Sequence, residues 1–155
     1  MARVNKKAGF GLGVILLVTP LVANYEGIVL RTYKDPVNIP TACVGETDKE
    51  VVLQYTFSRD ECLALLGASL AVHAQEVSAC VEKPLKNYEA AALLSWSYNV
   101  GTGAACTSTL MKKLNSNQEW CSELKKWVYA KGKVLPGLVS RRNAEYAMCT
   151  TGKWR

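Results

Sequence analysis

Three residues near the start of the chain have types and a spacing suited to acid–base chemistry. Glu26 is followed by Asp35 after eight intervening residues, and Asp35 is followed by Thr41 after five. Cleavage of a glycosidic bond needs one protonated carboxyl group that donates to the leaving oxygen, and one carboxylate that stabilises the sugar cation, attacks it or orients water. A glutamate at a helix end that faces a loop aspartate supplies this asymmetry. The spacing alone does not establish this chemistry, because any chain with thirteen acidic residues has some Glu and Asp this close, and Asp35 before Pro36 is typical of a turn residue.

The composition of the chain is that of one globular domain. Its 155 residues suffice for a single core, and 49% of them are apolar while 21% are charged, which excludes disorder as the main state. The net charge of +6 favours a polyanionic partner such as nucleic acid, anionic lipid or an anionic cell-wall polymer. We expect no nucleic-acid partner, because the sequence has no helix-turn-helix, zinc or aromatic-platform signature.

The six cysteines are many for a small cytosolic domain, and their even number indicates an oxidising compartment. Metal binding is the competing interpretation, but no two cysteines form a CxxC pair and the chain has one histidine, His73. We therefore expect disulfides and no metal site. Among the pairings that six cysteines allow, we expect the unnested one, in which Cys43 is bonded to Cys62, Cys80 to Cys106, and Cys121 to Cys149.

Residues 1–24 have the form of an export signal. Three basic residues lie among the first seven, and residues 8–23 include no charged residue. As a helix, this uncharged run would reach about 24 Å, short of the hydrocarbon core of about 30 Å, so it is a poor permanent anchor. Four interpretations stay open: a cleaved signal peptide, a stable signal anchor, a weak anchor that later leaves the bilayer, and a buried core helix.

The elements that must position these residues form a mainly helical α+β fold. Residues 31–55 are rich in β-branched residues and turn formers, which predicts a small antiparallel sheet with loops. A capping box at Ser58 begins a long helix that extends to about residue 80, and an apolar helix over residues 88–100 ends at a glycine. The sequence therefore predicts a small sheet lobe joined by a long helix to a helical lobe. Shorter helices are predicted over residues 108–115, 118–130 and 136–148.

Several stretches of the sequence together resemble a known family. They are YEG at residues 25–27, TYKD at 32–35 with Thr41 after it, SYNVG at 97–101, TSTL at 107–110 and GLVSRRNAE at 137–145. Over residues 25–154 the chain resembles the phage-type lysozymes, the endolysin family that includes the T4-like muramidases. The resemblance implies a lysozyme-like fold and a glycoside hydrolase.

The resemblance also implies roles for individual residues. Glu26, Asp35 and Thr41 match the family's Glu, Asp, Thr catalytic pattern in order and spacing. They correspond to the general acid, to the carboxylate that stabilises the oxocarbenium-like state or orients water, and to a positioning hydroxyl. Arg141 is similar to the family's arginine that pairs with the catalytic glutamate. For Asn99, a place in the cleft between the lobes and a structural role at a helix end both stay open.

The sequence departs from the family's pattern around Thr41. Where the family has Thr-x-Gly-x-Gly-His-Thr, Cys43 replaces the first glycine and Glu46 replaces the histidine. We expect a disulfide from Cys43 to fix the strand geometry instead, and Glu46 adds a third acid near the cleft whose role is open. The loop PVNIP lacks the family's usual glycine between Asp35 and Thr41, so a stiffer loop must place these two residues.

The N-terminus resembles that of the signal-anchor-release endolysins, whose weakly hydrophobic anchor tethers an inactive enzyme until it leaves the membrane. The resemblance implies an anchor over residues 1–24, which contacts the inner membrane transiently through residues 8–24, and a muralytic domain over residues 25–155. Because no cysteine precedes Cys43, release should follow loss of membrane potential or slow spontaneous exit. The enzyme is then expected to be exported and tethered to the inner membrane, and afterwards periplasmic.

We expect a monomeric phage or prophage endolysin that hydrolyses the β-1,4 bond between N-acetylmuramic acid and N-acetylglucosamine in peptidoglycan, with no metal and no cofactor. Its positive charge would concentrate it on the anionic cell wall. Two other functions stay open. One is a lytic transglycosylase, which needs only the acid and releases anhydro sugars, and the other is a catalytically inactive cell-wall-binding protein.

Overall fold

The structure is a computed structural model that describes residues 10–155. The three basic residues that precede the uncharged run lie within residues 1–9, outside the described part of the chain. Within residues 10–155, helices dominate and the β-structure consists of two small antiparallel sheets. The predicted α+β, predominantly helical fold is therefore confirmed.

The first helix, α1 (Leu12–Glu26), belongs to the hydrophobic core. It ends at Gly27, whose φ of 80° lies in the left-handed region that glycine adopts readily. Among the described residues, no helix is long and apolar enough to cross a membrane. Of the four interpretations of the N-terminal segment, the buried core helix describes α1 in this state. Its buried face consists of Val14, Val18, Leu21, Val22 and Ala23.

A small sheet lobe follows α1. Strands β1 (Val29–Lys34) and β2 (Pro40–Cys43) pair in antiparallel fashion, which confirms the sheet predicted within residues 31–55. The short helix α2 (Lys49–Val52) was not predicted from the sequence. It begins because the Asp48 carboxylate accepts hydrogen bonds from the backbone N–H groups of Glu50 and Val51 in the first turn.

Two long helices form the centre of the larger lobe, and both were predicted. Helix α3 (Arg59–Ser78) begins where the Ser58 hydroxyl accepts a hydrogen bond from a first-turn backbone N–H. Helix α4 (Asn87–Val100) is buried on all sides over residues 90–97 and ends at Gly101, as expected. Because α4 packs against α1, α3 and the last helix, it is the hub that holds the larger lobe together.

The last third of the chain confirms two predicted helices and corrects a third. Residues 118–130 were predicted as one helix, but only a 3-10 helix (Cys121–Lys126) forms there. The chain then enters a hairpin, because Lys131 and Gly132 both have positive φ, 51° and 77°, as the central residues of a two-residue hairpin turn require. The remaining elements are α5 (Thr102–Cys106), α6 (Thr109–Asn115), β3 (Tyr129–Ala130), β4 (Lys133–Val134) and α7 (Pro136–Thr151).

Three disulfides connect elements that are distant in sequence. One joins β2 to α3, the second joins the turn after α3 to α5, and the third joins the 3-10 helix to α7. The pairing is the unnested set expected from the sequence. The bonded pairs are Cys43–Cys62, Cys80–Cys106 and Cys121–Cys149.

Cys43 has a backbone conformation that is unusual for a residue with a side chain. Its φ of 56° lies in the left-handed region that glycine favours. This is the position at which the phage-type lysozyme pattern has glycine. The disulfide to Cys62 ties this backbone to α3 and thereby keeps the shape that a glycine would adopt without restraint.

The packing of α1 can be tested with two leucines of the same helix. Leu21 is 0% exposed and Leu16 is 67% exposed. Leu21→Ala should lower the free energy of unfolding by about 2–5 kcal/mol, because it leaves a cavity in the core. Leu16→Ala removes the same atoms from the exposed face of the same helix, so it should change the free energy of unfolding by no more than about 0.5 kcal/mol. Urea titration followed by circular dichroism measures both, and equal losses would contradict the burial of α1.

Candidate active site

Glu26 is the last residue of α1, and it pairs with the last helix of the fold. Its Oε1 lies 2.6 Å from Nη1 of Arg141 on α7. The Glu26 side chain is 31% exposed whereas that of Arg141 is 3% exposed. The ion pair expected from the sequence is thus present, with a buried guanidinium that holds a carboxyl group accessible to solvent.

Asp35 and Thr41 lie on either side of the turn that joins β1 to β2. Asp35 directly follows β1, and its Oδ1 accepts hydrogen bonds from the backbone N–H groups of Val37 and Ile39 at 2.9 and 2.8 Å. It therefore is a turn residue, as its place before proline indicated, and the turn fixes the orientation of its carboxylate. Thr41 pairs with Tyr33 across the hairpin, is buried, and donates its hydroxyl proton to the Ile39 carbonyl at 3.0 Å.

A buried network behind Glu26 includes residues that sequence reasoning missed. Glu145 on α7 is fully buried and accepts from Nε of Arg141 at 3.2 Å, from Nη1 of Arg142 at 2.5 Å and from the Ser95 hydroxyl at 2.5 Å. Arg141 also donates from Nη2 to the Ser95 carbonyl at 3.0 Å. The sequence signal was present in GLVSRRNAE, because residues three and four apart lie on the same helix face.

Asn99 takes part in this network through Arg142. The Asn99 side-chain oxygen accepts a hydrogen bond from Nη2 of Arg142, whose Nε donates to the Trp127 carbonyl at 2.8 Å. These contacts connect Asn99, near the C-terminal end of α4, to the buried network. The Trp127 ring packs edge-on against Trp96, with ring centroids 5.3 Å apart, so Arg142 connects the network to an aromatic pair.

A polar cleft of about 180 Å³ lies beside the sheet lobe, and it contains the third acid noted in the sequence. Glu46 lines this cleft together with Ser69 and Tyr98. Burial raises the pKa of the Tyr98 phenol; the hydrogen bond with Ser69 and the charge of Arg141 oppose the rise, and the negative charges of Glu26 and Glu46 add to it. Tyr98 therefore lies within electrostatic reach of both acids, which connects this cleft to the Glu26–Arg141 pair.

The described residues include no group of three or more His, Cys, Asp or Glu side chains arranged to hold a metal ion. The structure describes three side-chain groups of the kinds expected from the sequence: the accessible Glu26 carboxyl group on the buried Arg141 guanidinium, the Asp35 carboxylate held by a turn, and the buried Thr41 hydroxyl.

Comparison with known proteins assigns this sequence to a family. The family model described as phage lysozyme matches residues 23–145. The chain belongs to the phage lysozyme family. The matched residues include Glu26, Asp35, Thr41, Arg141 and Glu145, and a phage lysozyme is a glycoside hydrolase.

The similar sequences within the phage lysozyme family are phage endolysins. The chain is 34% identical over 154 residues to the SAR-endolysin of Enterobacteria phage PA-2, with 94% of this chain and 93% of the relative covered. It is 37% identical over 130 residues to the SAR-endolysin of Bacteriophage PS119, with 83% and 78% covered. This phage lysozyme is accordingly a phage endolysin.

A solved structure agrees with the fold of this phage lysozyme. The endolysin from Escherichia coli O157:H7 phage FAHEc1 matches with a TM-score of 0.76 at 23% identity, covering 90% of this chain and 94% of that chain. At this identity the match bears on the fold, and it confirms the lysozyme-like architecture expected from the sequence.

Proposed function

We propose that this endolysin hydrolyses the β-1,4 bond between N-acetylmuramic acid and N-acetylglucosamine in peptidoglycan. The observation that carries the proposal is the accessible Glu26 carboxyl group, held at 2.6 Å by the buried Arg141 within the span matched by the phage lysozyme family. Membership of that family supports peptidoglycan as the substrate. The net charge of +6 favours accumulation on the anionic wall, and we propose that the enzyme acts there as a monomer.

In this proposal Glu26 is the general acid. Arg141 contacts Oε1 of Glu26, which leaves Oε2 for the glycosidic oxygen. Protonation of that oxygen by Glu26 lets the bond to the anomeric carbon break, and positive charge then develops on the sugar ring. The contact with Arg141 restrains the Glu26 carboxyl group. This restraint favours the step, because proton transfer requires about 2.6–3.2 Å between the carboxyl oxygen and the glycosidic oxygen.

In this proposal, Asp35 and Thr41 act on the sugar cation and on the water molecule rather than on the leaving oxygen. The turn that holds Oδ1 of Asp35 leaves Oδ2 for the developing sugar cation or for a water molecule. The Thr41 hydroxyl donates to the Ile39 carbonyl, so its oxygen lone pairs are available to accept a hydrogen bond from water. The hairpin thereby supplies the Asp35 carboxylate and the Thr41 hydroxyl as a hydrogen-bond acceptor. The turn hydrogen bonds hold Asp35 in place although the loop has no glycine.

We further propose that residues 1–24 first tether the enzyme to the inner membrane and that α1 then joins the core. Three features support this: the weakly apolar segment, the burial of one face of α1, and relatives that are SAR-endolysins. Glu26 ends α1, so while the segment is embedded Glu26 lies at the bilayer surface and cannot meet Arg141 of α7. The three disulfides are consistent with export to an oxidising compartment, and after release the enzyme is periplasmic.

Product analysis tests the proposed reaction. Purified Gram-negative peptidoglycan treated with the oxidised protein should lose turbidity and release soluble muropeptides with ordinary reducing ends, which mass spectrometry distinguishes from anhydro ends by the mass of one water. Heat-denatured protein is the control for non-enzymatic release. Anhydro ends would replace the hydrolase by a lytic transglycosylase, and binding without any release of sugars would replace it by a cell-wall-binding protein.

A further inference from the structure

Glu145 is a buried carboxylate that the mechanism above does not use. It is fully buried, and both of its oxygens are occupied: Oε1 by Arg142, and Oε2 by Arg141 and Ser95. Glu145 does not contact Glu26 directly. Arg141 connects them, with Nη1 on Glu26 at 2.6 Å and Nε on Glu145 at 3.2 Å.

The charges of this cluster depend on one another. A buried carboxylate without partners is strongly destabilising, and here two guanidinium groups and one hydroxyl compensate it. With Glu26 protonated, two positive charges and one negative charge remain, so the cluster has a net charge of +1. If Glu145 were neutral, the whole charge of Arg141 would act on Glu26 and would favour its ionised form, which cannot donate a proton.

We propose that Glu145 is a positioning residue for the reaction: it holds the Arg141 guanidinium against Glu26 and offsets its charge, so that Glu26 is oriented and still carries the proton that it donates. The inference rests on the proposed role of Glu26 as general acid. Arg142 has the complementary role, because it pairs with Glu145 at 2.5 Å and adds a second positive charge to the cluster.

The other titratable groups that bear on Glu26 do not contact Glu145. Tyr25 precedes Glu26 on α1 and has its hydroxyl 3.2 Å from that of Ser140, and Asp35 is the second carboxylate of the proposed reaction. Tyr98 on α4 and Glu46 beside the cleft interact electrostatically with the site, as noted above. Neither makes a hydrogen bond to the buried cluster among the described residues. Glu145→Gln therefore changes contacts inside the cluster, whereas Arg142→Gln also removes the hydrogen bonds of Arg142 to Asn99 and to the Trp127 carbonyl.

The test uses two substitutions with opposite expected signs. Glu145→Gln removes the negative charge, so the alkaline limb of the pH–activity profile should move to lower pH by about one unit. Arg142→Gln removes a positive charge from the same cluster, so the limb should move to higher pH. Both enzymes are assayed as full-length oxidised protein on purified peptidoglycan at constant ionic strength, with kcat and KM measured at each pH.

The chain offers a matched control in Glu123. This carboxylate is also buried and paired with two cations, Lys113 at 2.5 Å and Lys126 at 2.9 Å, but it has no contact with Arg141. Glu123→Gln should lower thermal stability without moving either limb of the pH profile. Circular dichroism confirms for each variant that the fold is retained.

The outcomes separate this inference from the proposed reaction. Opposite shifts for the two variants, with the Glu123→Gln profile unchanged, support the positioning role. An active wild type whose variants lose only stability would overturn that role and leave the hydrolase intact. An inactive wild type would instead contradict the proposed reaction. Where Glu145→Gln does not fold, the sign of the Arg142→Gln shift decides, since a shift to lower pH or none contradicts the inference.

Discussion

Glu26→Gln should reduce peptidoglycan hydrolysis by about a thousandfold while leaving the fold intact, since a positioned general acid typically contributes between a hundredfold and ten-thousandfold. Glutamine has the same shape as glutamate, and its carbonyl oxygen can still accept the hydrogen bond that Arg141 donates at 2.6 Å. It has no proton of suitable acidity for the leaving sugar oxygen. The loss should therefore appear in kcat rather than in KM.

Glu46→Gln is the control for this experiment. Glu46 lines the neighbouring cleft and also contributes negative charge near Tyr98, but it has no contact with Arg141. We expect this variant to retain activity within a few-fold of the wild type. Initial rates of turbidity loss, with sugars counted by their reducing ends, measure both variants. A Glu26→Gln enzyme with more than a tenth of wild-type activity would exclude Glu26 as the general acid.

Reduction of the three disulfides should unfold the protein at growth temperature. The bonded cysteines are separated by 19, 26 and 28 residues in the sequence, and loops of this size stabilise a fold by about 3 kcal/mol each. Their sum of about 9 kcal/mol is comparable to the whole stability of a typical domain, about 5–15 kcal/mol. The reduced chain should therefore be inactive before it reaches an oxidising compartment.

Thermal melts with and without reductant measure this effect. The matched control is the same sample after removal of reductant and air oxidation, which should recover both the melting temperature and the clearing of peptidoglycan. A reduced protein that melts within a few degrees of the oxidised one would show that the core holds the fold without the disulfides. Peptidoglycan clearing by the reduced protein would likewise show that the fold does not need the disulfides.

The parts of the fold that local chemistry decides were predictable from the sequence. Ser58 begins α3 because its hydroxyl satisfies a free N–H group, and Gly101 ends α4 because glycine tolerates its φ of 95°. The hairpin after the 3-10 helix was missed because Lys131 and Gly132 do not form one of the common turn pairs such as Asn-Gly. There the tertiary context overrode an apparently helical pattern.

The candidate site likewise contains residues that the sequence predicted and residues that it did not. The resemblance to a known family supplied Glu26, Asp35, Thr41 and Arg141. Glu145 was not singled out, because a glutamate on a helix is usually a solvated residue. Its burial depends on α4, which brings Ser95 from fifty positions earlier in the chain to 2.5 Å from its carboxylate. No local pattern predicts a contact of that kind.

The left-handed backbone at Cys43 constrains how this sequence can evolve. A glycine at this position would keep the observed φ of 56° at no steric cost, so the backbone tolerates a change from Cys43 to glycine. Loss of Cys62 first would leave Cys43 in an unfavourable conformation with a free thiol and no cross-link to α3. The two positions are therefore epistatic: mutational paths between the glycine form and the disulfide form should pass through a chain that has glycine in place of Cys43 and still has Cys62. Lineages that replace Cys62 while Cys43 remains should be rare.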